Sequence, residues 1–227
     1  NTRPNLAEDI VPPASSQIYD IHGNEIANIH AAENRRPIGI NEIPKDLQNA
    51  FIAVEDNRFY EHIGIDPRGI IRAIWANVRG RTVTEGGSTI TQQLAKNAYL
   101  TQDQTLKRKV QEVFLALQLE RQYTKDEILE LYMNQIYFGQ GAYGVQAAAR
   151  TYFGKDAKDL TLNECAMLAG IPKSPNYYSP LNNMEAATQR KSVVLDQMVK
   201  YGYISESEAN VAKKEALSIV KPSNDGV

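Results

Sequence analysis

Two glutamates stand where a carboxylate is useful for moving a proton. In the segment Leu47 to Phe59, helical spacing puts Phe51 and Ile52 one turn before Glu55 and Phe59 one turn after it. Apolar neighbours strip water from a carboxylate, which penalises its charged form and raises its proton affinity. Such a group is a general base suited to a sugar hydroxyl. The plainer reading is a helix-end glutamate bonded to Arg58 or Asn57. Glu112 lies in a second helical segment, Thr105 to Arg121, where Leu106, Val110, Val113, Phe114 and Leu117 form an apolar stripe, read here as the core face. Glu112 points away from that stripe, at a border between Ala116 and Leu119 and the polar arc of Lys107, Gln111 and Gln118. Arg108 and Lys109, one turn earlier, are spaced to pair with it. Pairing favours the ionised form and desolvation the neutral one, and spacing does not decide between them. An ordinary solvated charge cluster fits the same pattern.

A third constellation is the run Gly86-Gly87-Ser88-Thr89-Ile90-Thr91-Gln92-Gln93-Leu94-Ala95-Lys96-Asn97. It reads as a glycine loop opening a helix, with Ser88 as N-cap. A helix start of this kind attracts anions. Gln93, Lys96 and Asn97 share one face, aiming two amides and an ammonium the same way. No Gly-Lys-Ser/Thr follows the glycines, so the run is not a nucleotide-binding P-loop. A glycine hinge before a solvated helix face is the alternative.

These residues need a helical frame, and the rest of the chain supplies one. From Pro44 onward the pattern is helical, and Ser/Thr/Asn-x-x-Glu capping boxes mark starts at Thr124/Glu127, Thr161/Glu164, Asn182/Glu185 and Ser205/Glu208. Before it, Pro12, Pro13, a β-like run at Gln17 to Tyr19 and a turn at Gly23-Asn24 read as a linker leading into a hairpin. The stretch Arg79 to Gly87 is polar and glycine-containing, a mobile loop in the middle of the domain. Pro67 to Val78 sets Ile70, Ile71, Ile74, Trp75 and Val78 beside Arg68, Arg72 and Arg79. It reads equally as a core helix or as an element lying in a lipid headgroup boundary.

Composition narrows the function. The chain has 227 residues, enough for one large domain with a cleft. With 25 Lys plus Arg against 27 Asp plus Glu, its overall charge gives no reason to expect a nucleic-acid partner. A single cysteine, Cys165, excludes an internal disulfide, and the 3 histidines His22, His30 and His62 lack metal-ligand spacing. Cys165 sits in an apolar helical stretch and reads as a packed thiol. No apolar run reaches the roughly 18 residues that a membrane span needs.

Taken together, the motifs resemble the signatures of the peptidoglycan glycosyltransferase family, found in class A penicillin-binding proteins and monofunctional transglycosylases. Glu55-Asp56-Asn57-Arg58-Phe59-Tyr60-Glu61-His62-Ile63-Gly64-Ile65-Asp66 is similar to the first signature, and Gly86 to Asn97 to the second. Arg108-Lys109 with Glu112, Ala116 and Leu119-Glu120 resembles the third. Lys125, Ile128-Leu129-Glu130, Tyr132 and Asn134, leading into Tyr137-Phe138-Gly139, resemble the fourth. Leu160 to Pro172, with Ser174-Pro175, resembles the fifth. The signatures stand in the family's order and span nearly the whole chain.

The resemblance implies a mainly α fold: a lysozyme-like head lobe, a small membrane-proximal jaw lobe and a short N-terminal β-hairpin. It implies a linker over residues 1–16 following a removed transmembrane anchor, the catalytic domain over 17–220 and a tail over 221–227. The implied reaction is processive, inverting polymerisation of lipid II into β-1,4-linked glycan strands with release of polyprenyl pyrophosphate. Glu55 is then the base at the acceptor's 4-hydroxyl. Lys96, Arg108 and Lys109 hold the donor pyrophosphate, and Glu112 positions those cations or the donor sugar. Asp56, Phe59, Ser88, Thr91, Gln92, Gln93, Asn97 and Asn134 complete the implied substrate site. No cofactor is required by the sequence, and a Mg2+ or Mn2+ at the pyrophosphate is compatible with it. The expected partners are lipid II, the lipid-linked glycan strand, the membrane surface under the jaw and a fused transpeptidase domain. The expected location is the outer side of the bacterial cytoplasmic membrane.

Two rival functions share parts of this pattern. A muramidase or lytic transglycosylase uses carboxylates on the same sugars but has no pyrophosphate to hold, which the Lys96, Arg108 and Lys109 cluster disfavours. A non-catalytic glycan-binding module has no use for Glu55 and Glu112.

Overall fold

The computed structural model describes residues 17–19, 25–28, 37–80, 87–100 and 105–221. The linker over 1–16, the turn at Gly23-Asn24, loop residues 81–86 and the tail over 222–227 lie outside the described residues. Two short strands, β1 (Gln17–Tyr19) and β2 (Glu25–Asn28), pair antiparallel with Ile18 opposite Ala27. The rest of the described chain is helical: α1 (Lys45–Glu55), α2 (Pro67–Val78), α3 (Ile90–Tyr99), α4 (Leu106–Gln122), α5 (Lys125–Gln135), α6 (Val145–Phe153), α7 (Leu162–Gly170), α8 (Pro175–Tyr178), α9 (Met184–Lys200) and α10 (Glu206–Lys214). The fold is mainly α, as the capping boxes and periodicity require.

The centre of the domain is α7, whose residues from Asn163 to Gly170 are all buried. A helix that is apolar nearly all round can only sit inside other helices. Here α1 and α9 pack on it and on each other. Buried residues of α1, Leu47, Ala50, Phe51, Ile52, Ala53 and Val54, join Ile128, Leu129, Tyr132 and Met133 of α5 in one core. Phe51 meets the rings of Tyr132 and Phe138 edge to face. This packing joins α1, which ends at Glu55, to α5.

Capping boxes start α5 at Thr124, α7 at Thr161 and α10 at Ser205. Two caps move by one residue from their expected places. The N-cap of α9 is Asn183, whose side chain accepts from the Ala186 amide, while Asn182 turns back to bond the Asn176 carbonyl. The N-cap of α3 is Thr89, which forms a capping box with Gln92 and leaves Ser88 outside the helix.

The larger correction concerns α4. Three of the five residues of its expected core stripe are exposed, Leu106 at 82%, Phe114 at 65% and Val110, while Val113 and Leu117 are only half-buried. Ala116, Leu119 and Glu112 are the buried ones. Amphipathic spacing identifies two faces but not which of them meets the protein, and here the smaller face, centred on Ala116, allows close approach to the segment around Gly64. Gly64 has φ +112°, and a Cβ there would lie 2.9 Å from the Ala116 carbonyl oxygen. A second apolar face is also in water. On α2, Ile71, Ile74, Trp75 and Val78 are all exposed, which removes the core-helix reading of that segment.

Candidate active site

A cleft of about 900 Å³ opens beside the end of α1. Of the residues singled out from sequence, Glu55, Ser88, Gln93, Lys96, Asn97, Arg108, Lys109 and Glu112 all line it. They come from three elements, the last residue of α1, the exposed side of α3 with its preceding loop, and the first turns of α4. The α3 and α4 helices pack together, so their cations share one space.

Glu55 is not engaged by its sequence neighbours. Arg58 pairs with Glu61 at 3.1 Å, and Asn57 donates to the Tyr201 hydroxyl at 2.7 Å. Glu55 instead accepts from Gln93 Nε2 at 3.2 Å through Oε2, while its buried Oε1 has no partner. Burial pushes its carboxyl above the ordinary 4.5. The Gln93 hydrogen bond and the positive charges of Arg190 and Lys173 pull it partly back, and Asp56 adds to the rise. A carboxylate with a raised proton affinity and one oxygen free of hydrogen bonds, in the wall of a cleft, is equipped to remove a proton.

Glu112 is buried, and the competition left open by its spacing is met by a direct partner. Lys109 Nζ lies 2.8 Å from Glu112 Oε1 and also donates to Ser88 Oγ at 2.9 Å. Ser88, freed from capping, becomes part of the site. Arg108 Nη1 donates to Gln111 Oε1 at 3.3 Å. Lys109 thus bridges α4 and the loop before α3, with its ammonium at the cleft surface.

The remaining sequence-selected residues lie behind the cleft wall. Asp56 Oδ2 accepts from His62 Nε2 at 2.6 Å and from the Ile90 amide at 3.0 Å. His62 Nδ1 accepts from the Gly64 amide at 3.0 Å, so the proton of the neutral ring sits on Nε2. The start of α3 does attract an anion, but it is the chain's own Asp56 carboxylate rather than a ligand. Thr91 donates to Glu120 at 2.8 Å, and Glu120 also pairs with Lys125 at 2.6 Å. Gln92 completes the Thr89 cap, and Phe59 is in the core with Lys125 over its ring. Asn134 accepts from the Ile38 amide and donates to the Ile38 carbonyl, tying the chain before α1 to α5. These residues fix the backbone around Glu55 and do not line the cleft.

Sequence reasoning missed Lys173, Arg190 and the cleft contributions of Ile136, Tyr137, Pro172 and Pro175. Lys173 had a usable signal, a lone lysine between two prolines directly after an apolar helix. Arg190 had none, because one arginine on a helix face reads as solvated. It is buried, and its stem crosses α7 at Gly170, where a Cβ would sit 2.6 Å from Arg190 Cγ. Among the described residues no group of three or more His, Cys, Asp or Glu side chains converges to hold a metal. Cys165 is buried, and burial pushes its thiol well up, as fits a packing role.

The described chain is thus a helical domain that brings a desolvated carboxylate and several cationic side chains to one cleft. The chain belongs to the transglycosylase family, whose sequence profile matches residues 22–199. It is 52% identical over 206 residues to penicillin-binding protein 1F of Bacillus subtilis, covering 91% of this chain and 29% of that protein. Penicillin-binding protein 1A of Escherichia coli is 48% identical, over 89% of this chain and 24% of that protein. The crystal structure of penicillin-binding protein 1A from Haemophilus influenzae superposes with a TM-score of 0.54 at 28% identity, covering 92% of this chain and 22% of that one. The chain therefore spans under a third of the length of these relatives.

Proposed function

We propose that this domain polymerises lipid II, with Glu55 as base. Glu55 Oε1 takes the proton from the acceptor's N-acetylglucosamine 4-hydroxyl as that oxygen attacks C1 of the donor's N-acetylmuramic acid. The C1–O bond to phosphate breaks, the polyprenyl pyrophosphate leaves with the electron pair, and the anomeric centre inverts to a β-1,4 link. Lys96, Arg108 and Lys109 are placed to stabilise charge growing on the leaving group. Glu112 keeps Lys109 in position. A Mg2+ or Mn2+ at the pyrophosphate would supply further positive charge beside Lys96, Arg108 and Lys109. The observation that carries the reading is the unpartnered, buried Glu55 Oε1 in one cleft with those cations.

The exposed apolar faces of α2 and α4 extend the reading to location. No described helix is long and apolar enough to cross a membrane. Ile71, Ile74, Trp75 and Val78, with Arg79 stacked on Trp75, have the composition of a helix lying in a headgroup boundary. We place this jaw-like side on the outer leaflet of the bacterial cytoplasmic membrane, where a lipid-linked donor reaches the cleft without leaving the bilayer. The greater length of the penicillin-binding relatives supports a fused transpeptidase as neighbour.

The test is incubation of the purified protein with lipid II, with and without the phosphoglycolipid moenomycin. Long, moenomycin-sensitive polymer on a gel is expected. Short muropeptides released from preformed glycan would replace this reading with a hydrolase or lytic transglycosylase.

A further inference from the structure

We propose that Tyr137 and Tyr143 form a stacking platform for a pyranose ring of the glycan substrate, at the edge of the cleft that holds Glu55. The proposal rests on the glycosyltransferase reading of that cleft and names a subsite within it. Tyr137 lines the cleft together with Glu55, Pro172 and Pro175. Its ring meets that of Tyr143 with centroids 4.7 Å apart and planes tilted by 36°. Both residues remain exposed, at 37% and 38%. Two neighbouring aromatic rings, each more than a third exposed and one of them lining the cleft, offer surface to an apolar face.

The backbone that displays them is over-determined. Tyr137 and Tyr143 oppose each other in an isolated antiparallel bridge. The turn between them has three consecutive residues at positive φ, Gly139 at 76°, Gln140 at 53° and Gly141 at 70°. Gln140 is the only non-glycine at positive φ among the described residues, a conformation that costs free energy and persists where surrounding contacts enforce it. Its side chain donates to Asn182 Oδ1 at 3.2 Å, reaching the loop before α9. At the far end of the turn a Cβ on Gly144 would lie 2.6 Å from the Asn134 carbonyl oxygen, so the chain is pressed directly onto α5. The same turn buries Phe138 and is closed by the Gly141 amide donating to the Tyr137 hydroxyl at 3.4 Å, and it leaves both tyrosines more than a third exposed. It holds them in place before a ligand arrives, which lowers the entropic cost of binding.

The ring surface selects the ligand class. An N-acetylhexosamine in the chair form presents a face of C–H bonds whose hydrogens carry slight positive charge, and an aromatic face carries negative charge. Stacking needs no fixed hydrogen-bond register, so a polymer can slip along it by one sugar. That property suits a site serving a growing chain and would be lost if the contact were made by charged pairs. The competing account is a cross-strand pair that only staples the turn. The two accounts differ in what a leucine does, since leucine fills the staple without offering a π face.

The experiment titrates lipid-free and peptide-free peptidoglycan saccharides, the disaccharide and the tetrasaccharide, into the protein by calorimetry, with the tyrosine ring protons followed by NMR. The variants are Tyr143→Leu, Tyr143→Phe and Tyr143→Ala, each checked by thermal melting. Tyr143→Phe should bind as wild type does. Tyr143→Leu should melt near wild type yet bind saccharide about 3- to 10-fold more weakly. Weakening for both saccharides assigns the platform to the acceptor unit, and weakening for the tetrasaccharide alone assigns it to the growing strand; either supports the proposal. Unchanged affinity in Tyr143→Leu, or saccharide shifts that bypass both rings, overturns it. If Tyr143→Ala fails to fold, the leucine and phenylalanine variants still decide. The titration needs no turnover, so a protein that binds saccharide on these rings but makes no polymer loses the polymerase reading and keeps the platform.

Discussion

Gln93 Nε2 donates to Glu55 Oε2 at 3.2 Å, and Gln93 Oε1 in turn accepts from the Tyr132 hydroxyl at 3.2 Å. Tyr132 is buried, and its hydroxyl can satisfy itself by donating to that carbonyl. The amide is thereby oriented with its donor end towards the carboxylate. Only one oxygen of Glu55 is engaged, and the other is left for a proton.

Gln93→Met keeps the length of the side chain and removes the donor. Since that hydrogen bond lowers the Glu55 proton affinity, its loss should raise it further. The base works deprotonated, so the acidic limb of the kcat/KM profile should move to higher pH while the plateau is partly retained. A limb that stays in place would remove Gln93 from the tuning of Glu55.

Glu55→Gln should reduce lipid II polymerisation by about 10²- to 10⁴-fold, the usual contribution of a positioned base. Its effect on stability has the opposite sign. A carboxyl whose folded proton affinity is raised stabilises the fold below its unfolded pKa, near 4.5, and loses that contribution as pH rises through the folded value. Wild type and Glu55→Gln should therefore melt alike in acid, with the variant becoming the more stable as pH climbs towards neutrality. Parallel melting curves at every pH would mean that Glu55 is not desolvated.

How much of this was legible in the sequence depended on what each signal encodes. Side-chain spacing is local, so the caps at Thr124, Thr161 and Ser205 were readable, and so was the desolvation of Glu55. Which face of α4 turns inward is not local. It depends on Gly64 making room at Ala116, a contact between residues distant in sequence. For the same reason spacing could not show that the anion attracted to the start of α3 is Asp56. Lys173 and Arg190 act on Glu55 only through tertiary packing, and no periodicity could have paired them with it.

The apolar faces of α2 and α4 make a separate prediction. Ile74→Asp with Phe114→Asp introduces charge on surfaces that are already in water, so melting should change little. Flotation with anionic vesicles should fall several-fold, because each charge opposes burial at the headgroup boundary. Undiminished flotation would place the membrane contact elsewhere.

Lys109 separates catalysis from stability. Its ammonium sits 2.8 Å from Glu112, but the lysine side chain is 49% exposed, so solvent screens the pair and its contribution to folding should be about 1 kcal/mol or less. A cation aimed at charge that develops on a leaving group is worth more, about 10²- to 10³-fold in rate when one such group is removed. Lys109→Ala should therefore melt within a few degrees of wild type while losing most of its polymerisation rate. Adding Glu112→Gln tests the arrangement from the other side. It removes the buried charge that Lys109→Ala leaves unpaired, so the double variant should regain stability without regaining activity. Activity that returned with stability would mean that Lys109 serves the fold, and that the pyrophosphate is held by Lys96 and Arg108.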